Sequence, residues 1–200
     1  MDTPEEPASL PPGRLVAAAW RFYGALAVLA VLWRSVWLGE PLLYASTAAA
    51  ERGVDPLRDV MVGILAAGVV IGLSYELTRH TSAGRALARG LARLLGPLGP
   101  GQVLLLAALS GIAEEAFFRG ALQPRVGWVL ASVIFGLVHF VPRAEFRLWT
   151  VFSLAAGFLL GFLFEATGNL IAPTVAHALV NAVNLTLLVR GGPWLDEGEA

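Results

Sequence analysis

Long apolar segments alternate with short polar ones along most of this chain. A helix needs about 20 apolar residues to cross the hydrocarbon core of a bilayer. Backbone groups in lipid have no water to bind, so each crossing segment should be helical. The pattern predicts an all-α fold, a polytopic membrane bundle of about six transmembrane helices. The six segments are 15–37, 57–77, 101–121, 126–141, 147–166 and 169–190.

One further helix is predicted to lie on the membrane instead of crossing it. In the stretch SAGRALARGLARLLG, residues 82–96, arginines recur at every fourth position with leucines between them. A helix with one cationic and one apolar face suits a surface of anionic headgroups. A basic loop that only sets the topology is the alternative, and the two interpretations are compatible.

The distribution of arginines orients the chain through the positive-inside rule. The segment 79–93 carries four arginines and is therefore expected in the cytoplasm, which places both termini there as well. One membrane-embedded domain, 14–190, is then flanked by tails at 1–13 and 191–200 that we expect to be disordered. We expect a multi-pass protein of the inner (cytoplasmic) membrane of a bacterium.

Composition narrows the function classes. Of the 200 residues, 56% are hydrophobic and 14% are charged, and the formal net charge is −1. A nucleic-acid partner is not indicated, because such a partner calls for a basic surface. The chain has no cysteine, which excludes disulfides, a thiol nucleophile and thiolate metal ligands.

Ionisable and amide side chains stand inside three of the apolar segments. The cost of a charge in lipid is contested, from about 3 to more than 10 kcal/mol, and such residues are usually functional. The stretch GIAEEAFFRG, residues 111–120, holds three of them, and the fourth and sixth segments hold the others. The candidate site residues are Glu114, Glu115, Arg119, His139, His177 and Asn181.

Helical geometry separates the roles of the two glutamates. Neighbouring residues on a helix differ by about 100° in direction, so Glu114 and Glu115 cannot face the same point. Glu115 and Arg119 form an i,i+4 pair in the favourable order, which predicts an intrahelical salt bridge. Glu114 is then free to face another helix, where it can act as a general base on water.

Histidine and asparagine side chains complete the predicted chemistry. His139 can help to orient or deprotonate the water. His177 and Asn181 share a helical face with Asn184, and they can donate hydrogen bonds to the oxyanion that forms when water attacks a peptide carbonyl. His80 lies in the basic loop, and we assign it no role.

Three short motifs resemble a known family. EEAFFRG, FGLVH and HALVN follow one another in the order and spacing of the CPBP family of intramembrane endopeptidases, which includes CAAX prenyl proteases and bacteriocin-processing proteins. The resemblance covers about 101–188, under half of the chain. It implies a helical membrane endopeptidase in which Glu114 is catalytic with His139 as its partner. It also implies that Glu115 and Arg119 support the site and that His177 and Asn181 form the oxyanion hole.

The resemblance also bears on partners and cofactors. It implies a membrane-associated peptide or protein substrate cleaved at a C-terminal tail, a leader or a sorting anchor, and no residue pattern indicates recognition of a prenyl group. The family is regarded as glutamate-type, so we expect no cofactor. A zinc ion held by two histidines and one glutamate is the alternative.

Other function classes remain open from the sequence. Ser110 and Gly111 partly match the Gly-x-Ser-Gly of rhomboid serine proteases, with His177 as the base, but Ala108 replaces the first glycine. A proton-coupled transporter would use the buried carboxylates as a relay and predicts repeats, which the sequence lacks. A catalytically silent scaffold is the remaining alternative.

One feature of the predicted topology conflicts with a shared site. If the helices run straight, Glu114 lies toward the outer half of the third segment and His139 toward the inner end of the fourth. Helix tilt, a shifted third segment or a re-entrant stretch around VPRAEF would bring the two side chains together.

Overall fold

The computed structural model describes residues 12–191, so the predicted tails, 1–13 and 191–200, lie almost wholly outside the described residues. Regular structure in the described range is helical, apart from one antiparallel bridge between Tyr44 and Asn169. The α-helices, in chain order, are α1 (Pro12–Val31), α2 (Thr47–Arg52), α3 (Pro56–His80), α4 (Ser82–Leu95), α5 (Pro100–Glu115), α6 (Gln123–Val126), α7 (Trp128–Val138), α8 (Arg147–Thr167) and α9 (Ile171–Arg190).

Five helical stretches of the described residues are long and apolar enough to cross a membrane. Two of them contain π-helical turns: Leu32–Trp37 extends α1, and Ala116–Leu122 joins α5 to α6. The chain is therefore an all-α, multi-pass membrane protein, as the apolar pattern predicts. The five stretches are Gly13–Trp37, Pro56–His80, Pro100–Val126, Ala144–Thr167 and Ile171–Arg190.

The predicted amphipathic segment forms α4, which follows α3 after one residue. That residue, Thr81, caps α4 because its Oγ1 atom accepts a hydrogen bond from the Gly84 backbone N–H at 2.9 Å. Small residues of α4 are buried, and a Cβ atom added at Gly90 would lie 3.2 Å from the Phe146 ring. The apolar face of α4 therefore packs across one end of the bundle.

The fourth predicted span is shorter than the sequence indicates. α7 has 11 residues, about 16 Å at 1.5 Å per residue, which is roughly half of the hydrocarbon thickness. The helix ends at Val138, and His139 is its C-cap. Irregular chain then leads to the 3₁₀ turn Ala144–Phe146. Pro142 keeps the helix from resuming at Val141, because a proline disfavours helical geometry at the residue before it.

The early end of α7 removes the conflict in depth between Glu114 and His139. Glu114 lies near the middle of the 27-residue stretch Pro100–Val126. Because α7 stops partway through the bundle, its C-cap residue reaches the level of Glu114. The chain around VPRAEF is irregular apart from the 3₁₀ turn; a re-entrant path and helix tilt both stay predictions.

Helix α9 holds the centre of the bundle through small residues. It packs against α3, α4, α5 and α8. A Cβ atom added at Gly63 of α3 would lie 2.7 Å from the Ala172 carbonyl oxygen, and one at Gly111 of α5 would lie 3.0 Å from the Ala178 Cβ atom. Such glycines let helix backbones approach closely, which is a main source of helix association in membranes.

The contact at Gly63 gives a matched test on one helix. Gly68 lies on the same helix, and nothing lies within 4 Å of a Cβ atom added there. We expect Gly68→Ala to be neutral or to stabilise by up to about 1 kcal/mol through helix propensity. Gly63→Ala should instead destabilise by about 1–3 kcal/mol, because overpacking forces the helices apart. Thermal unfolding in detergent measures both, and equal shifts for the two variants would contradict the packing described.

Candidate active site

Glu115 is the centre of a buried polar cluster. Its side chain is fully buried, and its Oε1 atom accepts a hydrogen bond from Arg119 Nη1 at 2.9 Å. The same oxygen lies 2.7 Å from Nδ1 of His177, which α9 supplies. The predicted ion pair between Glu115 and Arg119 is therefore present. His177 is a further partner of Glu115, which helical spacing alone does not indicate.

Arg119 is held by three different contacts. Besides Glu115, its Nη2 atom donates to the Gly157 carbonyl of α8 at 3.1 Å, and its guanidinium carbon lies 4.3 Å from the centroid of the Phe135 ring. The residue lies in the π-helical turn Ala116–Leu122, and such turns occur often at functional sites. These contacts fix the buried guanidinium of Arg119 between its own π-helical turn, α7 and α8.

Glu114 has a different environment from that of its neighbour. It is 7% exposed, and its Oε2 atom has no hydrogen-bond partner among the described residues. The nearest basic nitrogen is Nε2 of His139, at 3.7 Å. This separation exceeds a hydrogen bond, but it is close enough for a bridging water. Oε2 of Glu115 is unpaired as well, but Oε1 of Glu115 already binds Arg119 and His177, so Glu114 is the carboxylate that faces a gap beside a histidine.

The ring of His139 is oriented by its own helix. Its Nδ1 atom lies 2.7 Å from the Phe135 carbonyl oxygen. A carbonyl only accepts hydrogen bonds, so Nδ1 carries the proton, and Nε2 of the neutral ring is an acceptor. Nε2 and Glu114 Oε2 therefore form a pair of acceptors facing one gap. A water molecule has two O–H donors and can give one to each of them.

The predicted polar stripe of α9 reaches three different partners. His177 contacts Glu115, whereas Asn181 Nδ2 donates to Ser110 Oγ at 2.9 Å. Asn184 accepts from Ser74 Oγ of α3 at 3.1 Å. The stripe faces the bundle interior as predicted, but Asn184 joins α9 to α3 and contributes no contact to the Glu115 cluster.

A cavity of about 450 Å³ connects the site to α4. Four of the six candidate residues line it, and so do apolar side chains of α4 and α8. Its size is that of a ligand site, since such pockets span roughly 300–1,000 Å³. The candidate residues in its wall are Glu114, His139, His177 and Asn181, and the leucines of α4 there are Leu87, Leu91, Leu94 and Leu95.

Two aromatic residues of the site have no signal in the sequence. Tyr23 of α1 lines the cavity and interacts with the Glu114 side chain. Trp149 of α8 lines it too, and its ring centroid lies 5.8 Å from that of His139. Both residues stand in apolar segments where aromatic residues are common, so only the fold connects them to the polar cluster.

The geometry does not favour the serine alternative. Ser110 Oγ donates to the Ala107 carbonyl at 3.2 Å and accepts from Asn181. His177 would be its base, but the hydrogen bonds given for Ser110 Oγ join it to Ala107 and Asn181 and not to His177.

The zinc alternative also lacks a donor set. Over residues 12–191, no three His, Asp or Glu side chains form a group that could hold a metal ion. Hydrolysis without a metal remains a prediction.

Comparisons with known proteins match the part of the chain that supplies the site. Residues 97–183 match the family described as type II CAAX prenyl endopeptidase Rce1-like. Over 81 residues the chain is 41% identical to the uncharacterized protein YpbD of Bacillus subtilis (strain 168), which covers 40% of this chain and 42% of that protein. The chain thus spans less than half of that relative's length. No solved structure matches the present chain.

The coupling between Glu115 and Arg119 is open to a double-mutant cycle. Arg119→Leu leaves a buried carboxylate without its main cation, which should cost about 3–5 kcal/mol of stability. Glu115→Gln is the second single variant. In the double variant Glu115→Gln/Arg119→Leu, the loss of stability should be clearly smaller than the sum of the losses in the two single variants. Unfolding in detergent measures all three variants.

The exposed pair formed by Glu76 and His80, 2.9 Å apart, is the matched control. Glu76→Gln should change stability by less than about 1 kcal/mol, as is usual for surface pairs. Strictly additive losses at Glu115 and Arg119 would contradict the view that this pair is one structural unit.

Proposed function

We propose that this protein is an intramembrane endopeptidase, on the premise that residues 97–183 match the Rce1-like family. It cleaves a peptide segment in or at the bilayer, and Glu114 and His139 activate the attacking water. The observation that carries the proposal is the unpaired Oε2 atom of Glu114, buried 3.7 Å from His139 Nε2. A buried acceptor without a partner is costly, and a catalytic water would supply the missing hydrogen bond.

The proposed reaction uses Glu114 twice. The carboxylate takes a proton from the water while the water oxygen bonds to the carbonyl carbon of the scissile peptide. His139 Nε2 accepts the second hydrogen bond of the water and so fixes its orientation. Glu114 then gives its proton to the leaving nitrogen as the C–N bond breaks. General base and acid catalysis of this kind contributes about 10²–10⁴-fold in rate.

His177 and Asn181 are the proposed donors to the oxyanion. Glu115 holds Nδ1 of His177 at 2.7 Å, which leaves Nε2 as a donor when the ring is protonated. Asn181 gives one of its two amide N–H groups to Ser110 and keeps the other. With Glu114 and Glu115 both ionised, the positive charges of Arg119 and protonated His177 bring the net charge of the site to zero. A neutral site suits the interior of a membrane, where unpaired charges are costly.

The substrate is proposed to be the apolar segment of a membrane-associated protein. The cavity runs from Glu114 to the leucines of α4, so residues beside the scissile bond would lie against an apolar wall. A C-terminal tail, a leader and a sorting anchor all have this chemistry. We place the protein in the inner membrane with both termini in the cytoplasm, which puts α4 at the cytoplasmic leaflet.

Terminal proteomics on membranes tests this function. Glu114→Gln removes the base and keeps the size of the side chain, and Glu76→Gln is the control because Glu76 is 60% exposed and does not line the site cavity. At equal protein levels, a small set of proteins should keep an uncut tail or leader in the Glu114→Gln strain only. The cut sites seen with the wild-type protein would then define the substrate class.

Unchanged termini in the Glu114→Gln strain, under conditions where the wild-type protein is expressed, would contradict peptidase activity. A scaffold or a transporter would then account better for the buried charges. Retention of uncut proteins in both variant strains would contradict the assignment of Glu114, since an exposed surface change would have had the same effect.

A further inference from the structure

A second polar pocket lies at the end of the bundle opposite to α4. It has a volume of about 200 Å³, several times the roughly 30 Å³ that a water molecule occupies in the liquid. Its wall comes from the end of the first span, the following loop and the start of α6. The polar side chains of its wall are Arg34, Glu40, Ser46, Thr47 and Arg125.

Arg34 is the unusual residue of this pocket. It is 2% exposed, yet its Nε and Nη1 atoms have no hydrogen-bond partner among the described residues. Its Nη1 atom does lie 2.9 Å from Glu40 Oε2, without the geometry of a hydrogen bond. A guanidinium has five N–H donors in a fixed fork, and donors buried without acceptors are costly. An acceptor from a ligand would satisfy them.

The charges of the pocket favour an anion. Arg125 Nη2 donates to the same oxygen of Glu40 that pairs with Arg34. This hydrogen bond holds the pKa of Glu40 below its usual value, so the carboxylate is ionised at neutral pH. Two arginines against one glutamate leave the pocket with one net positive charge.

The position of the two arginines indicates where the anion comes from. Arg34 lies close to the end of the span Gly13–Trp37, and Arg125 lies close to the end of the span Pro100–Val126. Side chains at the ends of spans lie at the membrane–water interface. Lipid phosphates are concentrated at that depth, and arginine pairs with phosphate through two parallel hydrogen bonds.

We propose that this pocket binds the phosphate of a membrane lipid headgroup, between Arg34 and Arg125. Ser46 and Thr47 add hydroxyl groups to the wall. The bound phosphate supplies acceptors to the buried guanidinium and ties the end of the first span to α6. The site is separate from the cavity that holds Glu114, and the proposal does not depend on peptidase activity.

Native mass spectrometry of the full chain in detergent tests the proposal. The probes are phosphatidylglycerol, a diacylglycerol with the same chains, and inorganic phosphate. We expect one phosphatidylglycerol to bind tightly to the wild-type protein. Arg125→Gln should weaken this binding by about tenfold or more, as for the loss of one charge-assisted hydrogen bond. The control Arg52→Gln removes an exposed arginine outside the pocket and should leave binding unchanged.

Each arm of the experiment has a decisive outcome. Arg34→Gln should also weaken binding, and if that variant does not fold, Arg125→Gln carries the test. Equal binding of diacylglycerol and phosphatidylglycerol would overturn the phosphate assignment. Inorganic phosphate binding as tightly as the lipid would overturn the lipid as the source. Equal losses in Arg125→Gln and Arg52→Gln would mean a general charge effect and would overturn the site.

Discussion

The site depends on neutralising one buried carboxylate. Glu115 is fully buried, and lipid offers no water to solvate it, so protein cations must compensate its charge. Arg119 and His177 both contact its Oε1 atom, and Arg119 in turn uses the Gly157 carbonyl and the Phe135 ring. One ion pair therefore fixes α5, α7, α8 and α9 against each other. Arg119 and His177 bind Glu115, and Glu114 instead has an unpaired Oε2 atom beside His139.

The features that the sequence predicts are those set by local geometry. Apolar length predicts the crossing helices, and the i,i+4 spacing of Glu115 and Arg119 predicts their ion pair. The 3.6-residue period also predicts that Glu114 turns away from its neighbour. Each of these inferences depends on residues within one or two turns of a helix, where the chain has little choice of geometry.

The features that the sequence misses depend on contacts between distant segments. The early end of α7 aligns His139 with Glu114, and the π-helical turn that holds Arg119 has no signal of its own. Fully buried Asp59 accepts from Asn169, 110 residues away, at 2.6 Å, and no local pattern in the sequence joins these two residues. Tyr23 and Arg34 likewise acquire their environments only in the folded bundle. There the first span packs against α5 and the turn Ala116–Leu122, and Arg34 meets Glu40.

The most direct measurement is a high-resolution structure of the purified protein, collected with anomalous data at the zinc edge. We expect an ordered water within hydrogen-bonding distance of both Glu114 Oε2 and His139 Nε2, without anomalous signal, and we expect this water to be lost or displaced in Glu114→Ala. An anomalous peak between these side chains would contradict it, because the metal would then activate the water. A direct hydrogen bond between Glu114 and His139, with no water in reach, would contradict it as well.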